Sequence, residues 1–408
     1  MKVYKTIKIL CRPILFLIII FKLLSCSFTD HSSNFDLTKN HTVSVFDIFS
    51  DVRVLKLESV ENNLIGQIGR VRYYESRYYI LDNLKQQIFC FDENGRYVYN
   101  IDSQGRGKGE YHNVTDFAID ENNKQLVLLD PVMQRVHFFD LNGSFLSSHD
   151  IQSEKVLGLN RVYPMKDSIL LLISVTYDNL QFYSLKEEEI VYADFTYDVP
   201  STLHVFSPKD NVFFFDDKVL FSVPLSRDIV NVSALVPETY FTWCFGPQNN
   251  SDQQLNRLIE EINFKQENQE SYLLPFQAVG KNKILNHHII KSFENERFRI
   301  AVVEFDNRFK FVVIDKTDNN HFVFDAFEEG FLLPFEFMQS GRAIIFHIPE
   351  FELKEIKQIK NAEIQEYFLE RNLRLYSPEI LNEDCRKIVE NHDPMTDNPF
   401  LVVYKFKE

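Results

Sequence analysis

The feature that most constrains this chain is a unit that occurs twice between residues 65 and 151. The first copy spans residues 77–101 and the second spans residues 124–151. Equivalent positions are 48 residues apart with no insertion between them: Asp82 and Asp130, Ile88 and Val136, Phe91 and Phe139, Asp92 and Asp140, and Gly95 and Gly143. A fixed period of this kind indicates stacked units, because one such unit cannot bury its apolar face alone.

Each copy predicts three β-strands, and a further short strand precedes it. In the first copy the strands are expected at 78–81, 87–91 and 96–101, with the preceding strand at 71–74. An Asn-Gly turn joins the last two strands, and Asn-Gly is a strong hairpin signal because both residues accept positive φ. Four antiparallel strands per unit, repeated at roughly 40–50 residues, are typical of a β-propeller blade.

Two motifs in this region superficially resemble ligand-binding loops. The Gly-rich segment 104–111 lacks the Walker A spacing, since Lys108 is followed by Gly109 and not by Ser or Thr. The two Asp-x-Asn-Gly segments lack the third oxygen ligand and the Glu at position twelve of a calcium loop. The Gly-rich segment is therefore predicted to connect two blades, and the other two segments are predicted to be hairpin turns.

The same segments support a family resemblance. Residues 104–111 are similar to the Gly-rich link between NHL repeats. The segment 51–58, followed by Leu64-Ile65-Gly66, and the ending 398–407 complete the pattern. The chain from Val45 onward resembles the six-bladed β-propeller lipoproteins, a family of unknown function with NHL-like blades. The resemblance implies an all-β fold, a six-bladed β-propeller of four-stranded antiparallel blades that occupies residues 43–408.

The second half of the chain departs from the regular repeat. Three segments have the apolar spacing of helices and are predicted as helical insertions, near 252–269, 352–372 and 378–391. The last predicted strand, 401–406, has no local partner. It is expected to pair with the strand near 52–57, because closing the ring removes the exposed sheet edges that invite aggregation.

Residues 1–25 are predicted to be a signal peptide of the lipoprotein type, and residues 26–42 a tether. A basic start precedes an apolar run, 13–21, that is too short for a spanning helix of about 20 residues. Leu-Leu-Ser-Cys at 23–26 resembles the lipobox of bacterial lipoproteins, which implies that Cys26 is acylated. The alternative is an ordinary signal peptide in which Cys26 occurs by chance.

Charge and cysteine content exclude several classes of protein. The 408-residue chain has a net charge of −15, and removal of a signal peptide with five basic and no acidic residues makes it −20. Such an acidic chain is not expected to bind nucleic acid or anionic headgroups. Cys90, Cys244 and Cys385 are far apart, so neither a disulfide framework nor a CxxC metal site is predicted. No cofactor is expected, and Cys90, between two Phe residues, is predicted to be a core residue.

Candidate ligand-binding residues are expected at the mouth of the central channel, where propellers commonly bind small molecules. The residues expected near that mouth are Arg106, Lys108, Glu110, His112 and Asp116. The alternative is that they are solvated loop residues. His287 and His288 are adjacent on a predicted strand and point to opposite faces, so no metal site is assigned to them. Trp243 is either a carbohydrate platform or, as its apolar neighbours favour, a core residue.

The sequence therefore predicts a binding or scaffold module without catalytic residues. It is expected to be a monomer in the bacterial cell envelope, held by its lipid anchor and facing either side of the outer membrane. Its partner is expected to be a protein or a glycan. The alternative is a metal-dependent hydrolase or lyase, similar to lactonases, that uses the central channel.

Overall fold

The fold consists of six four-stranded antiparallel sheets, as the resemblance implied. The computed structural model describes residues 34–60, 64–151, 158–174, 178–196, 211–223, 226–249, 257, 287–306, 308–329, 338–340, 343–347, 380–393 and 395–408. Within these residues each sheet is one blade, and its strands follow one another along the chain in five of the six blades. The all-β six-bladed architecture is confirmed.

The first strand of the chain, β1 (Phe49–Leu55), belongs to the last blade. Blade 1 contains β2 (Ile68–Tyr74), β3 (Arg77–Asp82), β4 (Gln87–Asp92) and β5 (Tyr97–Ile101). Blade 2 contains β6 (Asp116–Asp120), β7 (Gln125–Asp130), β8 (Arg135–Asp140) and β9 (Phe145–Asp150). Blade 3 contains β10 (Leu159–Pro164), β11 (Ile169–Ser174), β12 (Asp178–Ser184) and β13 (Glu189–Thr196).

The remaining blades are built from the degenerate half of the sequence. Blade 4 contains β14 (Val212–Phe215), β15 (Lys218–Ser222), β16 (Asp228–Asn231) and β17 (Glu238–Thr242). Blade 5 contains β18 (His287–Glu294), β19 (Phe298–Phe305), β20 (Arg308–Asp315) and β21 (Asn320–Phe324). Blade 6 contains β22 (Met338–Ser340), β23 (Ala343–His347) and β24 (Leu401–Phe406), followed by β1.

The two ends of the chain close the ring within blade 6. Strand β1 pairs antiparallel with β24, from Phe49 opposite Phe406 to Leu55 opposite Leu401. Strand β24 also pairs with β23. The predicted pairing of the C-terminal strand with the strand near 52–57 is therefore confirmed, and β24 has a partner on each side.

Two α-helices lie among the described residues. Helix α1 (Val45–Ile48) precedes β1 and is capped by Ser44. Helix α2 (Glu383–Glu390) lies inside the segment 378–391 that was predicted to be helical. The other two predicted insertions, 252–269 and 352–372, lie outside the described residues except for Arg257. None of the helices in the described part of the chain is long and apolar enough to cross a membrane.

The repeated aspartates that follow the second strand of blades 1 and 2 are buried acceptors for the main chain. Asp82 accepts the backbone N–H groups of Gly66, Gln67, Leu84 and Lys85 at 2.6–3.1 Å. Asp130 accepts those of His112, Asn113, Val132 and Met133 at 2.6–3.2 Å. Each carboxylate thus ties the link that leads into its blade to the turn after the second strand. Buried N–H groups must be satisfied, which explains why the sequence repeats this residue.

The Asp-x-Asn-Gly segments form hairpin turns, as predicted. Asp92 accepts the N–H groups of Asn94 and Arg96 at 2.8 and 2.9 Å, and Asp140 makes the same two contacts in blade 2. Gly95 and Gly143 have φ of 78° and 85°, a region that favours glycine. These carboxylates are engaged by their own turns, so the hairpin interpretation is supported over the calcium loop.

The core lies between neighbouring blades. Along β3, Tyr78 and Ile80 pack in the cluster shared with blade 6, whereas Tyr79 and Leu81 pack in the cluster shared with blade 2. Side chains alternate across a strand, and here both faces are covered. Central strands therefore read as continuous apolar runs, which explains the absence of an apolar–polar alternation in β3 and β7.

Two residues with alternative interpretations belong to this core. Trp243 is fully buried, its ring lies 5.6 Å from that of Phe35, and its indole N–H donates to Ser292 at 3.2 Å. Cys90 is also fully buried, and burial raises the pKa of its thiol to about 11. The predictions that both residues are structural are confirmed.

Candidate functional site

The first strand of each blade lines the centre of the ring. Strand β2 contacts β6 and β22, β6 contacts β10, and β14 contacts β18. These strands run from the links between blades to the turns that connect the first and second strands. We call the two ends of the central channel the link side and the turn side. Side chains on the first strands are the ones that meet across the channel.

Equivalent channel positions are identified by their partners on the second strands. Arg70, Asp116 and Arg161 pair with Leu81, Leu129 and Ile173, which face the next blade. We call these three residues the charged level. Strand β18 has a bulge like those of β2 and β10, and the residue after its bulge is Lys291. Basic side chains therefore follow the bulge in blades 1, 3 and 5.

The charged level contains a buried ion pair that joins three blades. Nε of Arg70 lies 2.9 Å from Oδ1 of Asp116, and the two side chains are 4% and 0% exposed. The other oxygen of Asp116 accepts the N–H of Val162 at 2.9 Å. Arg70 donates through Nη2 to the hydroxyl of Tyr163 at 3.1 Å, and its Cζ lies 5.7 Å from the centre of that ring. Removing one partner of such a buried pair costs about 3–5 kcal/mol. The pair therefore fixes the side chain of Arg70, which in turn holds the hydroxyl of Tyr163.

Three residues further toward the turn side, the first strands carry aromatic and apolar side chains. Tyr73, Ile119, Pro164 and Phe214 pair with second-strand residues that all face the preceding blade. We call these four residues the collar. The first three are half-buried, whereas Phe214 is 52% exposed. Its ring centre lies 6.0 Å from that of Tyr163. The half-exposed ring of Phe214 therefore packs against the ring of Tyr163, which Arg70 of the ion pair holds in place.

Between the collar and the charged level lie Arg72, Ala118 and Tyr163. They pair with Tyr79, Val127 and Leu171, which face the next blade. Arg72 is half-buried, and Ala118, the smallest of the three, stands between the arginine and the tyrosine in ring order. Ala118 and Tyr163 are buried in the cores between blades, so of these three residues only Arg72 is partly exposed.

The five residues predicted from the sequence lie toward the link side, and they have different surroundings. Arg106, Lys108 and His112 are exposed on the Gly-rich link between β5 and β6. Glu110 folds back and accepts the N–H of Gly107 at 2.7 Å. Asp116 is buried in the ion pair with Arg70. The link is confirmed as a connection between blades, and ligand binding by these five residues stays a prediction.

Tyr111 holds this link in place. Its ring is fully buried, its hydroxyl donates to the carbonyl of Ile101 at 3.1 Å, and it accepts the N–H of Ser103 at 3.3 Å. Backbone hydrogen bonds join Tyr111 to Ser103 and Gly105 at 2.9 Å each. The link is therefore a folded loop that displays Arg106 and Lys108.

Sequence reasoning missed Arg70, Tyr163 and Phe214 for a local reason. The turn after β2 is two residues shorter than the turn after β6, so Arg70 and Asp116 are 46 residues apart and escape the 48-residue register. A separate alignment of the first strands would have placed Arg70, Asp116 and Arg161 together. Phe214 lies in the apolar run 212–215, which predicts a buried side chain and gives no sign of its exposure.

A metal site needs several His, Cys, Asp or Glu side chains close together. The described residues contain no group of three or more His, Cys, Asp or Glu side chains that could hold a metal ion. His287 and His288 lie in β18, but their side chains fall outside the described residues. The interpretation of these two histidines therefore stays a prediction.

One of three similar solved structures superposes well enough to share this fold. A Bacteroides fragilis protein described as exported superposes with a TM-score of 0.67 at 16% identity, covering 91% of this chain and 98% of that one. A duf4221 family member from Bacteroides vulgatus gives a TM-score of 0.49 at 11% identity, covering 90% and 99%. Virginiamycin B lyase from Staphylococcus aureus gives 0.40 at 8% identity, covering 72% and 82%. The first likeness supports the fold alone, and the other two carry no argument.

Sequence comparison identifies the family directly. None of the curated proteins matches this chain. A family model described as 6-bladed beta-propeller matches residues 25–304, which is more than half of the chain. The six sheets and the closure of the ring agree with that description. The chain belongs to this 6-bladed beta-propeller family.

Proposed function

We propose that the protein is a lipid-anchored binding module of the cell envelope that receives its ligand, a glycan or a segment of a partner protein, in the central channel. The observation that carries this proposal is Phe214, a large aromatic side chain that is 52% exposed on a first strand. Full burial of an exposed Phe side chain contributes about 1.5–3 kcal/mol, so a half-exposed ring forgoes roughly half of that. A ligand that covers the ring recovers that free energy.

The surroundings of Phe214 support a built site. Tyr163 backs the ring from blade 3, and the buried pair of Arg70 and Asp116 holds Tyr163. Sites held by packed and hydrogen-bonded neighbours lose little conformational entropy on binding. An exposed Phe on an outer strand or a flexible turn would not have this support.

The anchor and the location are proposed from the sequence. Acylation of Cys26, followed by the tether 26–42, would hold the propeller at a membrane surface, and the exported Bacteroides fragilis protein with the same fold is compatible with this. Metabolic labelling with a fatty acid tests the anchor, with Cys26→Ala as the variant and Cys90→Ala as the matched control. Labelling is expected to disappear only in Cys26→Ala. Labelling that persists in this variant would contradict the lipobox interpretation.

The channel is tested in living cells with a photo-crosslinking amino acid at position 214. The matched control is position 146, because Leu146 is 51% exposed on the outermost strand β9 of blade 2. We expect an adduct with a protein or a glycan from position 214 and none from position 146. No adduct from position 214, or equal adducts from both, would overturn the proposed channel site.

The enzyme alternative, a metal-dependent hydrolase or lyase, stays a prediction. The chemical fate of the ligand distinguishes such an enzyme from a binding module. A binding module returns the ligand chemically unchanged. An enzyme converts it, and a metal-dependent enzyme stops doing so when a chelator is added. Mass spectrometry of the ligand after incubation, with and without chelator, distinguishes the two.

A further inference from the structure

We infer that the link side of blades 6, 1 and 2 lies on a lipid bilayer and inserts three apolar side chains into its surface; this inference rests on the lipid anchor of the proposed function. The three side chains are Leu84, Val132 and Met395, which are 70%, 59% and 80% exposed. Single exposed apolar residues are ordinary on protein surfaces. These three, however, occupy the same position in consecutive blades.

The same kind of turn presents each of the three side chains. Each residue follows an aspartate by two positions, in the segments 82–84, 130–132 and 393–395. In each turn the backbone N–H of the apolar residue donates to that aspartate, at 2.9, 3.1 and 2.9 Å. The turns precede the third strands β4, β8 and β24. The backbone is thus fixed while the side chain stays exposed, so that little conformational entropy is lost on insertion.

Hydrogen bonds place all three turns on the link side. Asp82 and Asp130 also accept N–H groups of the links that enter their blades. In blade 6, Asn398 accepts the N–H of Ile65 at 2.6 Å and donates to the carbonyl of Glu58 at 2.7 Å, both in the link to blade 1. Blades 6, 1 and 2 are neighbours, because β2 contacts both β22 and β6. The three side chains therefore belong to one side of three adjacent blades.

The N-terminal segment of the described chain begins on the same side. The N–H of Phe35 donates to the carbonyl of Cys244 at 2.9 Å, and the thiol of Cys244 lies 2.9 Å from Oδ1 of Asn34. Cys244 belongs to the link that follows β17. Asn34 comes eight residues after Cys26, and eight extended residues span at most about 29 Å. An acylated Cys26 therefore keeps the bilayer near the link side of the ring.

A bilayer suits these three side chains better than a single pocket does. They come from three different blades, and a bilayer accepts each of them separately. Interfacial binding grows with the apolar area buried, and a lipid anchor makes each insertion intramolecular, which raises its effective concentration. The link between blades 1 and 2 exposes charges of both signs, Asp102, Arg106 and Lys108. Zwitterionic headgroups fit this mixture and the net charge of −15.

Photo-crosslinking from positions 84, 132 and 395 of the full-length chain in living cells tests the inference. The matched controls are positions 98 and 146 on the outer strands β5 and β9, and position 236 in the turn after β16, where apolar side chains are also exposed. Mass spectrometry is expected to show phospholipid adducts from the first set and none from the second. Equal lipid adducts from both sets, or none from either, would overturn the inference. Protein adducts from the first set would assign the link side to a protein partner instead.

A double variant tests whether the three side chains act together. With the crosslinker at position 132, Leu84→Ser combined with Met395→Ser is expected to reduce the lipid adduct by at least about threefold, because two of the three apolar contacts are lost. Val98→Ser combined with Leu146→Ser is the matched control and is expected to leave the adduct unchanged. Equal reductions in the two double variants would contradict insertion of the link side.

The outcomes for the bilayer and for the channel are separable. An adduct from position 214 without lipid adducts from positions 84, 132 and 395 would overturn the membrane orientation and leave the channel function intact. Lipid adducts from these three positions without an adduct from position 214 would support the orientation and overturn the channel site. Loss of fatty-acid labelling in Cys26→Ala, measured in parallel, reports on the anchor alone.

Discussion

Blades 1 and 2 are each stabilised through the main chain, whereas the contact between blades 4 and 5 depends on side chains. In the first pair, Asp82 and Asp130 each accept four backbone N–H groups, so that one carboxylate joins a link and a turn of the main chain. Between blades 4 and 5, Glu294 is bound by side chains. Arg299 contacts both of its oxygens at 2.7 and 3.0 Å, and Lys316 contacts one at 3.0 Å.

The cations of this second region also lie on aromatic rings. Cζ of Arg299 is 3.9 Å from the ring centre of Phe241, and Nζ of Lys316 is 4.1 Å from that of Phe215. A main-chain acceptor needs the same residue at the same place in each blade, whereas a cluster of long side chains can be assembled from varied positions. The comparison explains why the repeat is clear in the first two blades and degenerate later.

The largest effect is expected from Asp82→Ala. The change leaves four N–H groups of blade 1 without their acceptor, and we expect a loss of about 4 kcal/mol in the free energy of unfolding. Urea denaturation at neutral pH measures it. The control is Asp92→Ala, which removes the same charge but only two such hydrogen bonds, within a hairpin turn. A loss of about 1 kcal/mol is expected for it. Equal losses would show that the four-bond carboxylate has no special role.

Glu294→Gln tests the second region. The amide keeps the shape of the side chain but leaves Arg299 and Lys316 beside a neutral group, so we expect a loss of about 3 kcal/mol. The control is Glu383→Gln in α2, whose side chain is 83% exposed and pairs with Lys387. Exposed helical pairs of this type contribute about 0.5 kcal/mol or less. A cost for Glu294→Gln as small as that would mean that aromatic packing alone joins blades 4 and 5.

Gly143→Ala and Gly246→Ala compare the regions at the level of the backbone. Gly143 has φ of 85°, and a Cβ there would lie 2.7 Å from the ring of Tyr99 in blade 1. Gly246 has φ of 56°, and the nearest atom is 3.7 Å away. We expect losses of about 2 kcal/mol and about 1 kcal/mol in thermal denaturation, because only the first substitution adds a steric clash to backbone strain. A larger effect at Gly246 would contradict the close packing of the repeated turn on the preceding blade.

The smallest effect concerns a buried polar residue that only one of the two repeated cores contains. His137 of blade 2 stands where blade 1 has Phe89, and both are fully buried. Burial lowers the pKa of His137; Asp130 and Asp150 oppose this, and Arg135 adds to it. Among the described residues neither ring nitrogen of His137 has a hydrogen-bond partner. The folded state therefore favours the neutral ring.

The sign of the pH dependence follows from this lowered pKa. The unfolded chain takes up the proton as pH falls below about 6.5, while the folded protein resists protonation, so this histidine lowers stability on acidification. His137→Phe is expected to reduce the loss of unfolding free energy between pH 7.5 and 5.0 by about 1 kcal/mol or less. Urea denaturation of both proteins at the two pH values measures it. An unchanged or steeper loss in the variant would contradict a buried neutral histidine.

Much of the fold could be predicted from the sequence, because its signals are local. The Asn-Gly turns and the apolar runs specify the strands of blades 1 and 2, and the lone C-terminal strand indicated closure of the ring. Four short apolar runs, 212–215, 219–223, 229–232 and 240–245, likewise indicate the strands of blade 4 within a few residues of their ends, because polar turns separate them. Helix α2 followed from its apolar spacing, and Asn382 caps it by accepting the N–H of Cys385.

The candidate site could be predicted only in part, because it depends on contacts between blades. Asp116 was chosen for its position, but its partner Arg70 lies in the preceding blade. Tyr163 comes from the blade after it, and Phe214 from the blade beyond. Such contacts leave no periodic signal in one sequence, and the unequal turns after β2 and β6 conceal the equivalence of the charged residues.

The most direct test of the central claim is photo-crosslinking in living cells from position 214, with position 146 of the outer strand β9 as the matched control. A ligand held in the central channel predicts an adduct with a protein or a glycan from position 214 and none from position 146. No adduct from position 214, or equal adducts from both positions, would contradict the channel site.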